Sequence, residues 1–305
     1  MKNKVSFYKK AAVFVLAAAC VILIGKPHGA ENVWNRAFSF FGLGDFAACA
    51  DKCPMSMHVI DVGKADSIFV ECGGKYMLVD GGTPDRGEDV AAYISRRGVN
   101  TLEYVFNTHP DEDHVGGLKY VIDSFSIKHY FAPDIPKNII PSDDAYLNTQ
   151  ASLKNKNITA AVPKPGDTYS LNSLKIKVLG PLKQGVTTNN NSIVLKLTYG
   201  NVSFLLTGDA EKEEEDSLLD SGEDISADVL KVGHHGSKTS TAQEFLNAVK
   251  PKYAAISVGY DRNKLPKEQV LKRLYTAGVS VYRTDVSGTL IFMTDGKTIN
   301  VKTEK

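Results

Sequence analysis

Two short groups of residues carry the chemistry in this sequence. Four of the seven histidines sit in them: His109 and His114 in the run Thr108-His109-Pro110-Asp111-Glu112-Asp113-His114, and the adjacent pair His234-His235. A lone loop histidine is usually a surface residue, and an Asp-rich turn is usually solvated or caps a helix. Several ligand types converging on strand-to-loop junctions argue for more than that. Imidazole nitrogen and carboxylate oxygen are the normal donors to zinc, manganese or iron. A loop folded over a helix start can direct His109 and Asp111 to one cation and Asp113 and His114 to a second. Asp209 ends the apolar run Ser203 to Gly208. A carboxylate there can bridge two cations about 3.5 to 4 Å apart, as two-metal hydrolases require. It can also cap the acidic helix that follows, and the two roles are compatible.

The elements that must hold these residues follow from periodicity. Met57 to Val62, Ser67 to Glu71 and Tyr76 to Asp80 read as three strands of a meander, broken by Gly63 and by Gly73-Gly74. Val90, Tyr93 and Ile94 have helical spacing, stopped by Gly98. The strand Tyr104 to Asn107 runs directly into the His/Asp cluster, and Gly116-Gly117 opens a helix through Leu118, Val121 and Ile122. The end of a strand is where open α/β sheets place their sites. The second half repeats the order: strands at Leu174 to Leu179, Ser192 to Tyr199 and Val202 to Leu206, a charged helix from Ala210, a strand at Asp228 to Val232 and a helix from Ala242. Each sheet needs both faces covered, so the expected α/β architecture is a four-layer αββα sandwich.

Residues 1–30 are expected to be a signal peptide or an N-terminal membrane anchor, because Lys2, Lys4, Lys9 and Lys10 precede the apolar stretch Ala11 to Gly25. That stretch is short for a full span of about 20 residues, and no good cleavage site follows, so both readings stay open. Cys20 follows Leu16-Ala17-Ala18-Ala19 and only faintly resembles a lipid-attachment site. Residues 31–54 read as a linker and 55–305 as the folded body. Cys49 and Cys53 are spaced for a small-loop disulfide in an oxidising compartment, whereas Cys72 reads as a core residue. The expected location is therefore exported, extracellular or membrane-anchored.

The chain of 305 residues is 43% hydrophobic and 23% charged, with net charge +1. That excludes a disordered or collagen-like protein. It also means that any nucleic-acid partner must be held by a local basic groove and the metals, since the global charge supplies almost none of the usual attraction. Nothing in the sequence points to a protein partner.

The motifs taken together resemble the metallo-β-lactamase superfamily, and within it the C-terminal domain of ComEC-type competence (DNA-uptake) proteins. The resemblance covers residues 57 to 294. It rests on His58-Val59-Ile60-Asp61-Val62-Gly63, Leu78-Val79-Asp80-Gly81-Gly82, Thr108 to Gly117, Asn190 to Leu195, Leu205 to Glu211 and Leu230 to Ser237. It implies that His109, Asp111, Asp113, His114, Asp209 and one of His234 or His235 hold one or two divalent ions, with Asp80 bracing the loop behind them. His234, nearer the strand end, is the favoured ligand, leaving His235 to contact substrate or solvent beside a catalytic Asp113. The superfamily's H-x-H-x-D-H run has Asp111 as its second ligand here, which makes manganese competitive with zinc. Its third histidine of the first site is replaced by Asn189-Asn190-Asn191. The family's Gly-Gln-Gly-Asp turn appears as Gly63-Lys64-Ala65-Asp66, and its late histidine before a proline is absent near Leu265-Pro266. Candidate substrate contacts are Asp66, Asn191, Ser237 and Lys238. Ser237-Lys238-Thr239-Ser240 can hold a phosphate or simply cap a helix.

The implied reaction is attack by a metal-bound hydroxide on an ester, a phosphodiester first, with Asp113 orienting or deprotonating the water. An extracellular nuclease or phosphodiesterase is the leading expectation. Rivals are an envelope phosphorylcholine esterase, a lactonase, a β-lactamase, disfavoured by Asp111, and a non-catalytic DNA-binding module.

Overall fold

Alternating apolar side chains build the first sheet. The computed structural model describes residues 54–305 apart from Asp261 and Asn263. In β1 (Met55–Val59), Met55, Met57 and Val59 point into the space between two sheets, and His58 points the other way, to the Tyr93 hydroxyl at 2.8 Å. β1 pairs antiparallel with β2 (Ile68–Cys72), which turns through Gly73-Gly74, both at positive φ, into β3 (Lys75–Val79). Helix α1 (Gly87–Ser95) then carries the chain to β4 (Thr101–Phe106), parallel to β3. The short helix α2 (Glu112–Val115) and α3 (Leu118–Ser124) lead to β5 (Ser126–Phe131), parallel to β4, and α4 (Asp144–Asn155) leads to the two-residue β6 (Ala160–Ala161).

The second sheet opens with β7 (Thr168–Leu171), β8 (Leu174–Gly180), β9 (Val194–Tyr199) and β10 (Val202–Leu206), all antiparallel neighbours. It continues through α5 (Lys212–Asp220), β11 (Val229–Lys231), α6 (Gln243–Val249), β12 (Tyr253–Ile256), α7 (Glu268–Thr276) and β13 (Ser280–Arg283), its last three strands parallel to β10. After the turn of helix α8 (Thr284–Ser287), β14 (Leu290–Thr294) and β15 (Ile299–Thr303) return to the first sheet. The strand orders are β15-β14-β1-β2-β3-β4-β5-β6 and β13-β12-β11-β10-β9-β8-β7.

Three apolar clusters fill the layers. One, including Met57, Val70, Phe106, Ile176, Leu195, Phe204 and Phe292, lies between the sheets. A second sits under α1, α3 and α4, and a third under α5, α6 and α7. Period-two alternation divides the strands between them: Phe204 and Leu206 face the central cluster, Leu205 the outer one. This is the four-layer αββα sandwich, with both sheets mixed.

Strand β1 begins two residues earlier than its sequence pattern predicts, and β9 begins at Val194 because Asn189–Asn191 form a 3-10 turn. The charged helix starts at Lys212 with Glu211 as its cap, so Asp209 is not spent on capping. Strands β5, β6, β7 and β12 to β15 and helices α4 and α7 have no counterpart in the sequence reading. The export or anchor segment, Cys20, the Cys49 and Cys53 pairing and the linker up to residue 53 lie outside the described residues. Among the described residues no helix is long and apolar enough to cross a membrane.

Candidate metal centre

The C-terminal ends of parallel strands bring the chemistry together from both sheets. Asp80 follows β3, the Thr108 to His114 run follows β4, Asp209 follows β10, and His234-His235 follow β11. Ile193 donates to the Thr108 carbonyl at 2.9 Å across the two sheets, and within the first sheet's loops Asp66 donates to the Asp113 carbonyl at 3.0 Å. Glycine permits the closest approach. A Cβ on Gly117 would stand 2.0 Å from the Gly81 oxygen, so only glycine lets the turn after β3 press against the start of α3. That contact sets Asp80 beneath His114.

Asp80, buried and at φ 60°, organises one side. Its carboxylate accepts from the Thr108 amide (2.7 Å), the Thr108 hydroxyl (2.6 Å) and the Asn107 amide group (3.2 Å), and meets His114 Nδ1 at 2.9 Å. His114 therefore presents Nε2, which lies 3.2 Å from Asp209 Oδ1. His109 is anchored in the same sense, its Nδ1 contacting the hydroxyls of Thr108 (3.1 Å) and Ser192 (3.3 Å). His235 Nδ1 donates to the Ser257 carbonyl at 2.9 Å, which leaves Nε2 3.4 Å from Asp113 Oδ2 and 3.6 Å from Asp209 Oδ2. All three imidazoles are fully buried, held by Nδ1 and aimed by Nε2 at one space. This is the arrangement by which outer partners fix the tautomer and direction of a metal-binding histidine.

The donors facing this space suit a cation. His109 Nε2, His114 Nε2, His235 Nε2 and Asp209 Oδ1 are buried and have no hydrogen-bond partner, an arrangement that costs about 1–3 kcal/mol per group if nothing else meets them. Donor atoms of His109, His114 and Asp209 lie within 4.8 Å of one another, as do those of Asp113, His114 and His235. Imidazole and carboxylate donors at this spacing fit one or two divalent ions. The charges are already sorted by the cluster itself. Burial pulls the His114 imidazole down, but the Asp209 and Asp80 carboxylates outweigh it and hold it well above the ordinary value. Burial pushes Asp209 up, and His114 and His235 more than offset it. Asp113 is likewise held well below the usual carboxylate range, against its burial, by the His235 imidazole 3.4 Å away and by His114. His109 is lowered by burial and then by His114.

The histidine pair divides differently from the sequence expectation. Both residues take left-handed backbone, His234 at φ 49° and His235 at φ 53°, at a cost of about 1–3 kcal/mol each for a residue with a side chain. The double turn buries His235 among the donors. His234 is left on the rim, its Nδ1 3.2 Å from the Thr239 hydroxyl and 3.4 Å from Glu211. Its Nε2 stays 3.7 Å from Asp209 Oδ2. Asp111 caps α2 without a side-chain bond to the helix, and its half-exposed carboxylate lies 3.7 Å from His109 Nε2.

Of the candidate substrate contacts, two are buried and paired within the protein. Asp66 is buried and paired with the equally buried Lys231 at 2.9 Å, because an isolated carboxylate there would be prohibitive. Asn191 is buried and clamps its own loop through Gly185 and Thr187. Ser237 bonds the Thr239 hydroxyl at 3.0 Å, and Lys238 is exposed nearby. Sequence reasoning missed Lys64, whose ammonium pairs with Asp113 Oδ2. Its place in a Gly-Lys-Ala-Asp turn just after β1 was the available signal. Ser192, whose hydroxyl contacts His109 Nδ1 at 3.3 Å, carried none.

This fold and this convergence of donors define a class. Residues 60–260 match the metallo-beta-lactamase superfamily, and the chain belongs to it. It is 34% identical to ComE operon protein 3 of Bacillus subtilis (strain 168) over 254 residues, 76% of this chain and 32% of that protein. It is 28% identical to the competence protein ComA of Neisseria gonorrhoeae over 288 residues, 92% of this chain and 38% of that protein. The chain thus spans about a third of the length of these relatives. Among solved structures, the metallo-beta-lactamase fold protein YhfI of Bacillus subtilis superposes with a TM-score of 0.54 at 14% identity, covering 79% of this chain and all of that one, which bears on the fold alone.

Proposed function

We propose that the domain is a metal-dependent phosphodiesterase acting on nucleic acid outside the cytoplasm. The observation that carries the metal requirement is the set of three Nδ1-anchored imidazoles whose Nε2 atoms, with Asp209 Oδ1, are buried without partners. The ligand set supported best is His109, Asp111, Asp113, His114, Asp209 and His235, with His234 on the rim and Asp80 holding the His114 tautomer. Zinc and manganese both suit these donors. When bound, one or two such ions make water acidic enough to attack near neutral pH and draw charge from the phosphoryl oxygens.

The chain's own groups supply the rest. Asp113, 3.4 Å from His235 Nε2, is placed to accept a hydrogen bond from the attacking water and orient it. Ser237 offers a hydroxyl next to Thr239, which contacts His234, and Lys238 is exposed between them in the chain. These are the groups available to a phosphate. The competence names of the relatives support a nucleic-acid phosphodiester over a lactone or a phosphorylcholine ester.

The test is metal analysis of the purified full chain, with bis(p-nitrophenyl) phosphate, single- and double-stranded DNA, a lactone and a β-lactam offered in the presence of zinc or manganese. Metal-dependent cleavage of the phosphodiesters, abolished in Asp209→Asn, is the expected result. Tight DNA binding with no cleavage by a metal-loaded protein would instead make it a binding module. His235→Ala should lose bound metal by about 10-fold or more in affinity while His234→Ala keeps it.

A further inference from the structure

Lys64 stands in a revealing place. Asp113 Oδ2 is the oxygen that faces His235 Nε2 at 3.4 Å, and the Lys64 ammonium is seated on that same oxygen. The lysine is not an accident of a long surface side chain. It follows Gly63, which turns at φ 80°, and the turn is pinned from both sides. The Gly63 amide reaches Asp61 Oδ1 at 3.4 Å, and the amide of Asp66, two residues after Lys64, donates to the Asp113 carbonyl at 3.0 Å. On the other flank a Cβ on Gly259 would lie 2.7 Å from Gly63 Cα and 3.0 Å from the Lys64 amide nitrogen, so that backbone has no room to swing away. With side-chain exposures of 28% for Lys64 and 18% for Asp113, the pair is partly buried, so its charges are only partly screened by water.

We propose that Lys64 is a resident counter-cation of the Asp113 and His235 half of the centre and competes with a divalent ion for it. This rests on the metal-binding reading above. The ammonium satisfies Asp113 Oδ2 while that half is empty, and an ion bonded to the same oxygen would have a full positive charge as its immediate neighbour. Like charges that close disfavour each other strongly outside bulk water. The other half, with His109, His114 and Asp209, has no ammonium against any of its carboxylates among the described residues. The two halves therefore hold ions unequally, and Lys64 adds a difference of charge to the difference in ligands. Lys64 acts here as a positioning and selectivity residue, not a catalytic one.

The experiment compares the full chain with Lys64→Gln and Lys64→Arg. Zinc and manganese binding is followed by calorimetry and by chelator competition, and thermal unfolding is measured in metal-free and metal-saturated samples. The proposal expects Lys64→Gln to tighten the weaker ion by about tenfold or more, the size of effect a partner of a ligand usually has, and Lys64→Arg to stay near wild type. It also expects opposite shifts in stability: Lys64→Gln melts lower than wild type without metal and gains more than wild type when metal is added. A salt bridge that serves structure alone would lower both melting temperatures together and leave the affinity unchanged, which would overturn the proposal while sparing the metal-binding reading. Absence of metal binding in all three proteins would overturn both.

Discussion

Replacing Lys231 by Met removes one charge from a place where no water can compensate. Lys231 is fully buried in β11, and its ammonium meets Asp66 at 2.9 Å and the Val232 carbonyl at 3.0 Å. Asp66 is 1% exposed, and the next basic side chain is His235, its Nδ1 3.7 Å away. Breaking such a pair from one side strands the remaining charge and costs about 3–5 kcal/mol. For a domain of this size, about 2–4 °C is lost per kcal/mol, so Lys231→Met should lower the melting temperature by about 6–20 °C at pH 7. Methionine nearly fills the same volume, so little of the loss is packing. Adding Asp66→Asn to this variant removes the stranded charge and should restore most of the stability. The pH dependence has a definite sign. Burial pushes Asp66 up, and Lys231 with His235 turns it below its ordinary value. Without Lys231 the carboxyl rises, so the deficit of the single variant should be greatest near neutrality and shrink as pH falls and Asp66 takes up a proton. Urea unfolding of the two single variants and the double, at several pH values, gives the coupling directly. Equal losses in the Lys231→Met and double variants, independent of pH, would show that the ion pair is not what stabilises this seam.

Two further expectations concern other parts of the fold. Burial pushes the Glu215 carboxyl up to about 7, against the amides of Ala242 and Thr241 that it accepts. A folded value above the unfolded one means that its contribution is complete below about pH 4.5 and is lost as pH rises through about 7. That loss is on the order of 3 kcal/mol. Glu215→Gln should flatten the decline in urea midpoints across that window, and an unchanged slope would remove Glu215 as its source. Gly117→Ala would drive a methyl into the Gly81 carbonyl, backbone against backbone. A loss above about 3 kcal/mol should be measurable by thermal unfolding, and a variant of wild-type stability would mean that the turn after β3 yields easily.

Four of the first sheet's eight strands, β1 to β4, were legible from their apolar runs, and in β1 Met57 and Val59 meet the central cluster from one face. The gathering of His109, Asp113, His114 and Asp209 was legible from residue type and from their place after apolar runs. The short strands β12 and β13 and helix α7 were not, since each has few residues and their burial is decided by neighbours far along the chain. The choice between His234 and His235 depends on two consecutive left-handed residues, which spacing cannot reveal. Asp66 looked like a mouth residue because its partner, Lys231, hides in an apolar strand of the opposite sheet. Lys and Asp in strands usually signal solvent, and only the three-dimensional pairing reverses that.

The division of the donor set between the two sheets has a consequence for folding. Asp80, His109, Asp113 and His114 arrive early in the chain with the first sheet, and Asp209 and His235 late, with the second. Neither the group of His109, His114 and Asp209 nor the group of Asp113, His114 and His235 can form until both sheets are present. Contacts of such sequence separation form slowly and last. Any cation held here is thus a report that synthesis and folding of both halves are finished, and a nascent or half-folded chain is chemically silent.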